Sequence, residues 1–126
     1  MELGLDISFY KRTKEETEEI GYFRKVNFLI PFFEERTGEE IENCELVYIT
    51  EEDIEELIRR CKEVLDNHEE ANILLPTTTG FFYGSDEYDE YYFDNVQEVL
   101  DYCQNNLFPM FDELSNEEYI AFKIWY

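Results

Sequence analysis

The chain has 126 residues, 44% of them hydrophobic and 17% aromatic, and its 32 acids against 10 Lys and Arg give a formal charge of −22. Chains this acidic and poor in aromatics stay disordered, but this one has the material for a core. The charge excludes a protein that grips nucleic acid through phosphate contacts, which needs a Lys/Arg surplus, and it disfavours anionic membranes. The length is that of one domain, residues 1–126.

The elements follow in chain order. Leu3, Leu5, Ile7 and Phe9 alternate with Gly4, Asp6, Ser8 and Tyr10, which predicts an opening strand with one buried face. Lys11 to Glu19 reads as a charged turn. Phe23, Val26, Ile30 and Phe33 fall at helical spacing, predicting a helix from Ile20 to Glu35, kinked at Pro31 and stopped by Thr37-Gly38. Cys44 to Ile49 reads as a second strand. Thr50 is a good N-cap for a helix opening with Glu51, Glu52 and Asp53. The buried stripe of that helix is Ile54, Leu57, Ile58, Cys61, Val64 and Leu65, and it ends near Asn67.

Ile73-Leu74-Leu75-Pro76 is an apolar run closed by proline, and Thr77 to Gly80 is a turn. Phe81-Phe82-Tyr83, flanked by Gly80 and Gly84, reads as a tight turn around an aromatic plug. Tyr88 to Phe93 suits a strand. Asp94 with Gln97 resembles a capping box before a helix carrying Val96, Val99, Leu100, Cys103 and Leu107. Phe108 to Ser115 looks irregular, and Tyr119 to Tyr126 alternates as a closing strand. The expected fold is α+β: about three helices on a small mixed or antiparallel sheet of four to five strands. The start shows no secretory apolar core, and no apolar run nears the ~18 residues of a membrane span, so a cytosolic protein is expected.

The charge is unevenly placed. Residues 1–38 hold six cations against eight acids, a net −2, whereas residues 39–126 hold four against 24, a net −20. No Lys or Arg falls between Lys62 and Lys123, an interval with 15 acids. A globule of this length has a radius of gyration of about 14 Å, and DNA of similar span carries about 20 charges. The chain thus matches a DNA segment of its own size in net charge. The plainer reading is a solvated surface that keeps the protein soluble, and the sharper one is a polyanionic surface aimed at a basic partner.

Three constellations carry candidate chemistry. Cys44, Cys61, His68 and Cys103 are every cysteine and the only histidine, a donor set that Zn²⁺ takes in structural sites. No CxxC pair is present, and the plainer reading is of buried cysteines acting as small hydrophobes. Asp86, Glu87, Asp89 and Glu90 offer four carboxylates in five positions, but without the EF-hand pattern. Tyr83, Tyr88, Tyr91 and Tyr92, in and around this block, suggest a contact surface, since Tyr is enriched at binding hot spots, and the plainer reading is of tyrosines packing across a sheet. The candidate partner-binding residues are Glu51, Glu52, Asp53, Glu55, Glu56, Asp86, Glu87, Tyr88, Asp89, Glu90 and Tyr91. Gly80 to Ser85 lacks the spacing and lysine of a phosphate loop. One histidine without a Ser or Cys partner in reach argues against nucleophilic catalysis, and no catalytic residue is assigned.

GLDISFY at the start, GYFRKVN, Asn43-Cys44, CKEVL at 61–65 and LLPTTTGFFYGSDEYDEYYF at 74–93 resemble, in order, a family of small proteins carried by bacterial phages and prophages. In that family a histidine and a Trp-Phe pair follow the YFRKVN-like segment. Here Phe28 to Phe33 stands in that place and the histidine is absent. Phage origin, with this charge, implies a counter-defence protein of the anti-CRISPR kind. Such a protein would bind a basic surface of a host RNA-guided nuclease and block DNA loading. The alternatives are a small metal-dependent hydrolytic enzyme built on the 74–85 loop, or a phage regulatory protein with a zinc-stabilised fold.

Overall fold

A computed structural model describes residues 4–80 and 83–126. Phe81 and Phe82, the centre of the expected aromatic plug, lie outside the described residues. The fold is α+β, with a four-stranded sheet in the order β2-β1-β4-β3, every pair antiparallel. The strands are β1 (Asp6–Arg12), β2 (Thr17–Arg24), β3 (Leu46–Ile49) and β4 (Tyr119–Trp125). The helices are α1 (Leu29–Thr37), α2 (Glu51–Asp66), α3 (Ala71–Leu74), α4 (Glu90–Tyr102) and α5 (Phe108–Phe111), so there are more than the expected three.

The opening strand is present as β1, though it runs on through Lys11 and Arg12 of the expected turn and Leu3 lies outside the described residues; it neighbours the closing strand, with Ile7 opposite Ile124 and Phe9 opposite Phe122. All four side chains are buried. Phe9 and Phe33 both pack on Phe122, with ring centroids 5.6 and 4.5 Å away.

The helix expected from Ile20 is instead a strand to Arg24, because β1 captures it in a hairpin, Ile7 facing Phe23 and Ser8 facing Tyr22. Ile20 is the extra residue of a bulge between the Phe9–Gly21 and Tyr10–Glu19 pairs. Bare Gly21 admits the Tyr102 ring there; a Cβ would sit 2.4 Å from the Tyr102 hydroxyl, which donates to the Ile20 carbonyl. Lys25, at φ 60°, turns the chain, and α1 begins only at Leu29. Pro31 then falls in the first turn, where no helical N–H is needed, so it causes no kink. Gly38, at φ 76°, ends the helix as predicted, its N–H donating to the Glu34 carbonyl.

The strand expected at Tyr88 to Phe93 is not formed either: Tyr88 and Asp89 lead into α4, and Glu90 to Phe93 are helical. Asp89 caps α4 by accepting from the Tyr92 N–H, so the helix starts a turn before Asp94. Tyr92, Val96, Val99, Leu100, Cys103 and Leu107 form its buried stripe, and that periodicity outweighs the β preference of Tyr91-Tyr92-Phe93. Gln97 bonds Asp101 rather than a cap. Pro109 cannot donate into the helix, and just before it Cys103–Leu107 widens into a π-helical stretch in which the Phe108 N–H reaches the Cys103 carbonyl.

The helices cover one face of the sheet. The other is open, with Tyr22, Leu46 and Tyr48 exposed and Tyr119 and Trp125 half-buried. No helix among the described residues is long and apolar enough to cross a membrane.

Candidate functional site

The acids of α2 divide into two groups. Asp53 is buried: its Oδ2 accepts from the Thr50 N–H at 3.0 Å, and its Oδ1 from Arg36 Nε at 2.9 Å. Its own N–H donates to Thr50 Oγ1, which completes a capping box. Glu56 accepts from Arg59 Nε and Nη2 and from Arg60 Nε, at 2.7–2.8 Å. The Arg59 bonds, ahead of Arg60 and against the opposing effect of burial, pull its carboxyl down to about 2. Arg60 also reaches Glu35 and, at 3.2 Å, the Leu74 carbonyl. Asp53 and Glu56 are therefore spent on internal partners. Glu51, Glu52 and Glu55 are exposed.

This split continues along the helical side. From Glu51 to Asp101, twelve carboxylates are exposed among the described residues, and the exposed cations there are Arg59 and Lys62. Arg59 is already paired with Glu56 and Glu63. Asp86, Glu87 and Glu90 belong to this exposed set, and Asp89 is half-buried as the cap of α4.

The segment from Thr77 to Tyr88 has no regular structure in its described part, yet it is fixed to the body of the protein. Buried Asn27 holds it: its Nδ2 donates to the Tyr83 and Ser85 carbonyls at 2.9 and 3.0 Å, and its Oδ1 accepts from the Thr78 N–H at 3.3 Å. Both N–H donors of its side-chain amide and one acceptor position on its oxygen are used. The Tyr88 hydroxyl closes the segment on itself by accepting from the Thr77 N–H at 3.1 Å. Tyr83 meets Tyr126 edge to face at 5.3 Å, and burial, then its bond to Tyr126, pushes its phenol up to about 12.

Between this segment, the Lys25 turn and the start of α4 lies a notch of about 170 Å³. Phe28 and Tyr92 form its floor, with rings 5.5 Å apart, and both are almost fully buried. Glu87, Asp89 and Tyr91 stand at its rim, and Tyr91 is 78% exposed. Two segments that stand out in the sequence, GYFRKVN and LLPTTTGFFYGSDEYDEYYF, are thus joined here through Asn27. The sequence reading missed Asn27; its signal is a lone amide inside the apolar run Val26 to Ile30.

The four zinc candidates are not assembled. Cys61 and Cys103 are buried near one another in the core, where burial raises both thiols, Cys103 to about 12. Cys44 is exposed beside β3, and His68 is exposed with its ring stacked 3.7 Å from that of Phe93. Among the described residues no group of three or more His, Cys, Asp or Glu is placed to hold a metal ion.

Comparison with protein families, curated proteins and solved structures finds no match. The fold and surface define an α+β protein with an acidic helical layer and a small aromatic notch.

Proposed function

We propose that the protein is a counter-defence inhibitor of the anti-CRISPR kind, which binds a basic surface of a host RNA-guided nuclease and prevents DNA loading. The observation that carries this reading is the exposed acidity of the helical layer. Apart from Asp53 with Arg36, and Glu56 and Glu63 with Arg59 and Arg60, its carboxylates from Glu51 to Asp101 have no ion-pair partner among the described residues. A nucleic-acid channel presents the complementary field. An acidic domain seated there excludes DNA by occupancy and by like-charge repulsion. The resemblance to phage proteins supplies the setting.

The test is a competition assay with guide-loaded nuclease and labelled target DNA. Added protein is expected to displace DNA, with an apparent affinity that falls steeply as salt rises. The triple variant E51Q/E52Q/E55Q leaves the internal pairs intact and is expected to weaken competition about tenfold. Absence of binding to nucleases at low salt would sink the reading.

A further inference from the structure

We propose that the notch bounded by Phe28, Tyr92, Glu87, Asp89 and Tyr91 is a receptor for one guanidinium side chain, an arginine on the basic partner. The inference rests on the reading above, which it deepens by naming the anchoring contact.

Size comes first. Clefts that hold drug-sized ligands measure about 300–1,000 Å³, whereas this notch measures about 170 Å³. It suits a single long side chain and not a whole small molecule.

Its chemistry selects a cation. Glu87 and Asp89 place two carboxylates at the rim, and only one oxygen of Asp89 is engaged in the α4 cap. Lys25 is the cation that lines the notch, but its stem lies against Gly84 and its Cε lies beside Gly4, so it runs along the wall. The floor of Phe28 and Tyr92 is apolar, which suits the methylene stem of the guest. The Tyr92 hydroxyl is turned inward to the Leu75 carbonyl at 2.8 Å.

Tyr91 distinguishes arginine from lysine. Tyr91 is 78% exposed, and among the described residues its ring makes no hydrogen bond or ring contact. A large aromatic left out of the core beside two acids is a ready stacking wall. A planar guanidinium stacks on such a ring while forking to carboxylate, which a compact ammonium cannot do. The floor is buried and the wall is held by the three Asn27 hydrogen bonds, which lowers the ordering needed on binding.

The experiment uses the full ¹⁵N-labelled chain, titrated with N-acetyl-arginine amide and, separately, the lysine and citrulline analogues. The arginine probe is expected to shift the Val26, Asn27, Tyr91 and Asn95 signals saturably, with a dissociation constant of about 1 mM for so small a ligand. The lysine probe should bind several-fold more weakly, and neutral citrulline should give no saturable shift. Tyr91→Ala is expected to weaken the arginine probe about threefold, and E87Q/D89N about tenfold. Asn at position 89 still caps α4, so the double variant keeps its fold. Shifts spread evenly over the exposed acids, equal response to arginine and lysine, or indifference to both variants would overturn the proposal. The probe needs no nuclease, so the two readings fail separately. Nuclease binding with an inert notch refutes the anchor alone, and a notch that takes arginine in a protein that binds no nuclease refutes the inhibitor reading.

Discussion

Asn27 is the side chain whose loss should reach furthest, because one buried amide holds the segment that closes the notch. Asn27→Ala removes three hydrogen bonds and strands the Tyr83 and Ser85 carbonyls and the Thr78 N–H. At about 1 kcal/mol net for each bond, with a further cost for any partner left dry, the loss is about 2–4 kcal/mol. The segment can instead undock and regain water, which caps the global loss at its docking free energy. Asn27→Asp separates these outcomes, since it keeps the Oδ1 acceptor but turns a carboxylate toward two carbonyls. Burial then raises the acid above its unfolded value of about 3.9. The charged form is the disfavoured one, so the penalty is smallest below that value and grows as pH rises through the folded one. Urea unfolding at several pH values measures stability, and amide exchange at Thr78 reports the docking itself. An alanine variant within 0.5 kcal/mol of the parent, with Thr78 still protected, would refute the assignment of Asn27 as the anchor.

Two further outcomes follow from the ion pairs and the cysteines. Glu56, held at about 2 against an ordinary 4.5, contributes stability that is fully present above 4.5 and lost as pH falls toward 2. Glu56→Gln should therefore cost about 1 kcal/mol at pH 7, discounted for partial exposure, and should flatten the pH dependence between 2 and 4.5; urea unfolding at pH 2.5, 3.5, 5 and 7 checks this. For the thiols, an alkylating reagent at pH 8 should label exposed Cys44 alone in the native protein, and all three cysteines in denaturant. Rapid native labelling of Cys61 or Cys103, seen by mass spectrometry, would contradict their burial.

The sequence was legible where local chemistry and tertiary packing agree. Thr50 with Asp53 announces α2, and Ile54, Leu57, Cys61 and Val64 are buried as their spacing predicts, with Ile58 and Leu65 half-buried beside them. Gly38 stops α1 for a reason local to its own backbone. It misled where a distant partner decides. Nothing near Gly21 says that Tyr102 will occupy the space a Cβ would fill, nor that β1 will pair with Thr17–Arg24 and defeat a helical spacing. The Tyr-rich stretch after Asp89 has β preference, but one face of it had a core to join only as a helix. Of the candidate site, the acidity of the second half could be counted in advance. That Asp53 is consumed by Arg36 could not, because the contact crosses 17 residues, whereas the pairs of Glu56 with Arg59 and Arg60 are local to the helix. The notch was hidden for the same reason: its walls come from segments more than 50 residues apart, joined by Asn27.

The separation of charge that supports the proposed function follows from secondary structure. Glutamate favours helices and their N-termini, so the acids collect on the helical side, with Glu51, Glu52 and Asp53 at the start of α2. The open sheet face needs side chains that suit strands yet tolerate water, and it takes Tyr and Trp with long cations laid over them. Lys123 lies over the rings of Tyr10 and Trp125 at 5.3 and 5.2 Å, and Arg12 over that of Tyr119 at 5.8 Å. Arg24 joins them from β2, paired with Asp6. Three of the ten cations thus stand on the face turned away from the helices, where they cannot neutralise the acids of α2 and α4. The excess of acids is therefore one-sided, and the basic partner proposed above would meet the helical side, where the notch opens beside the start of α4.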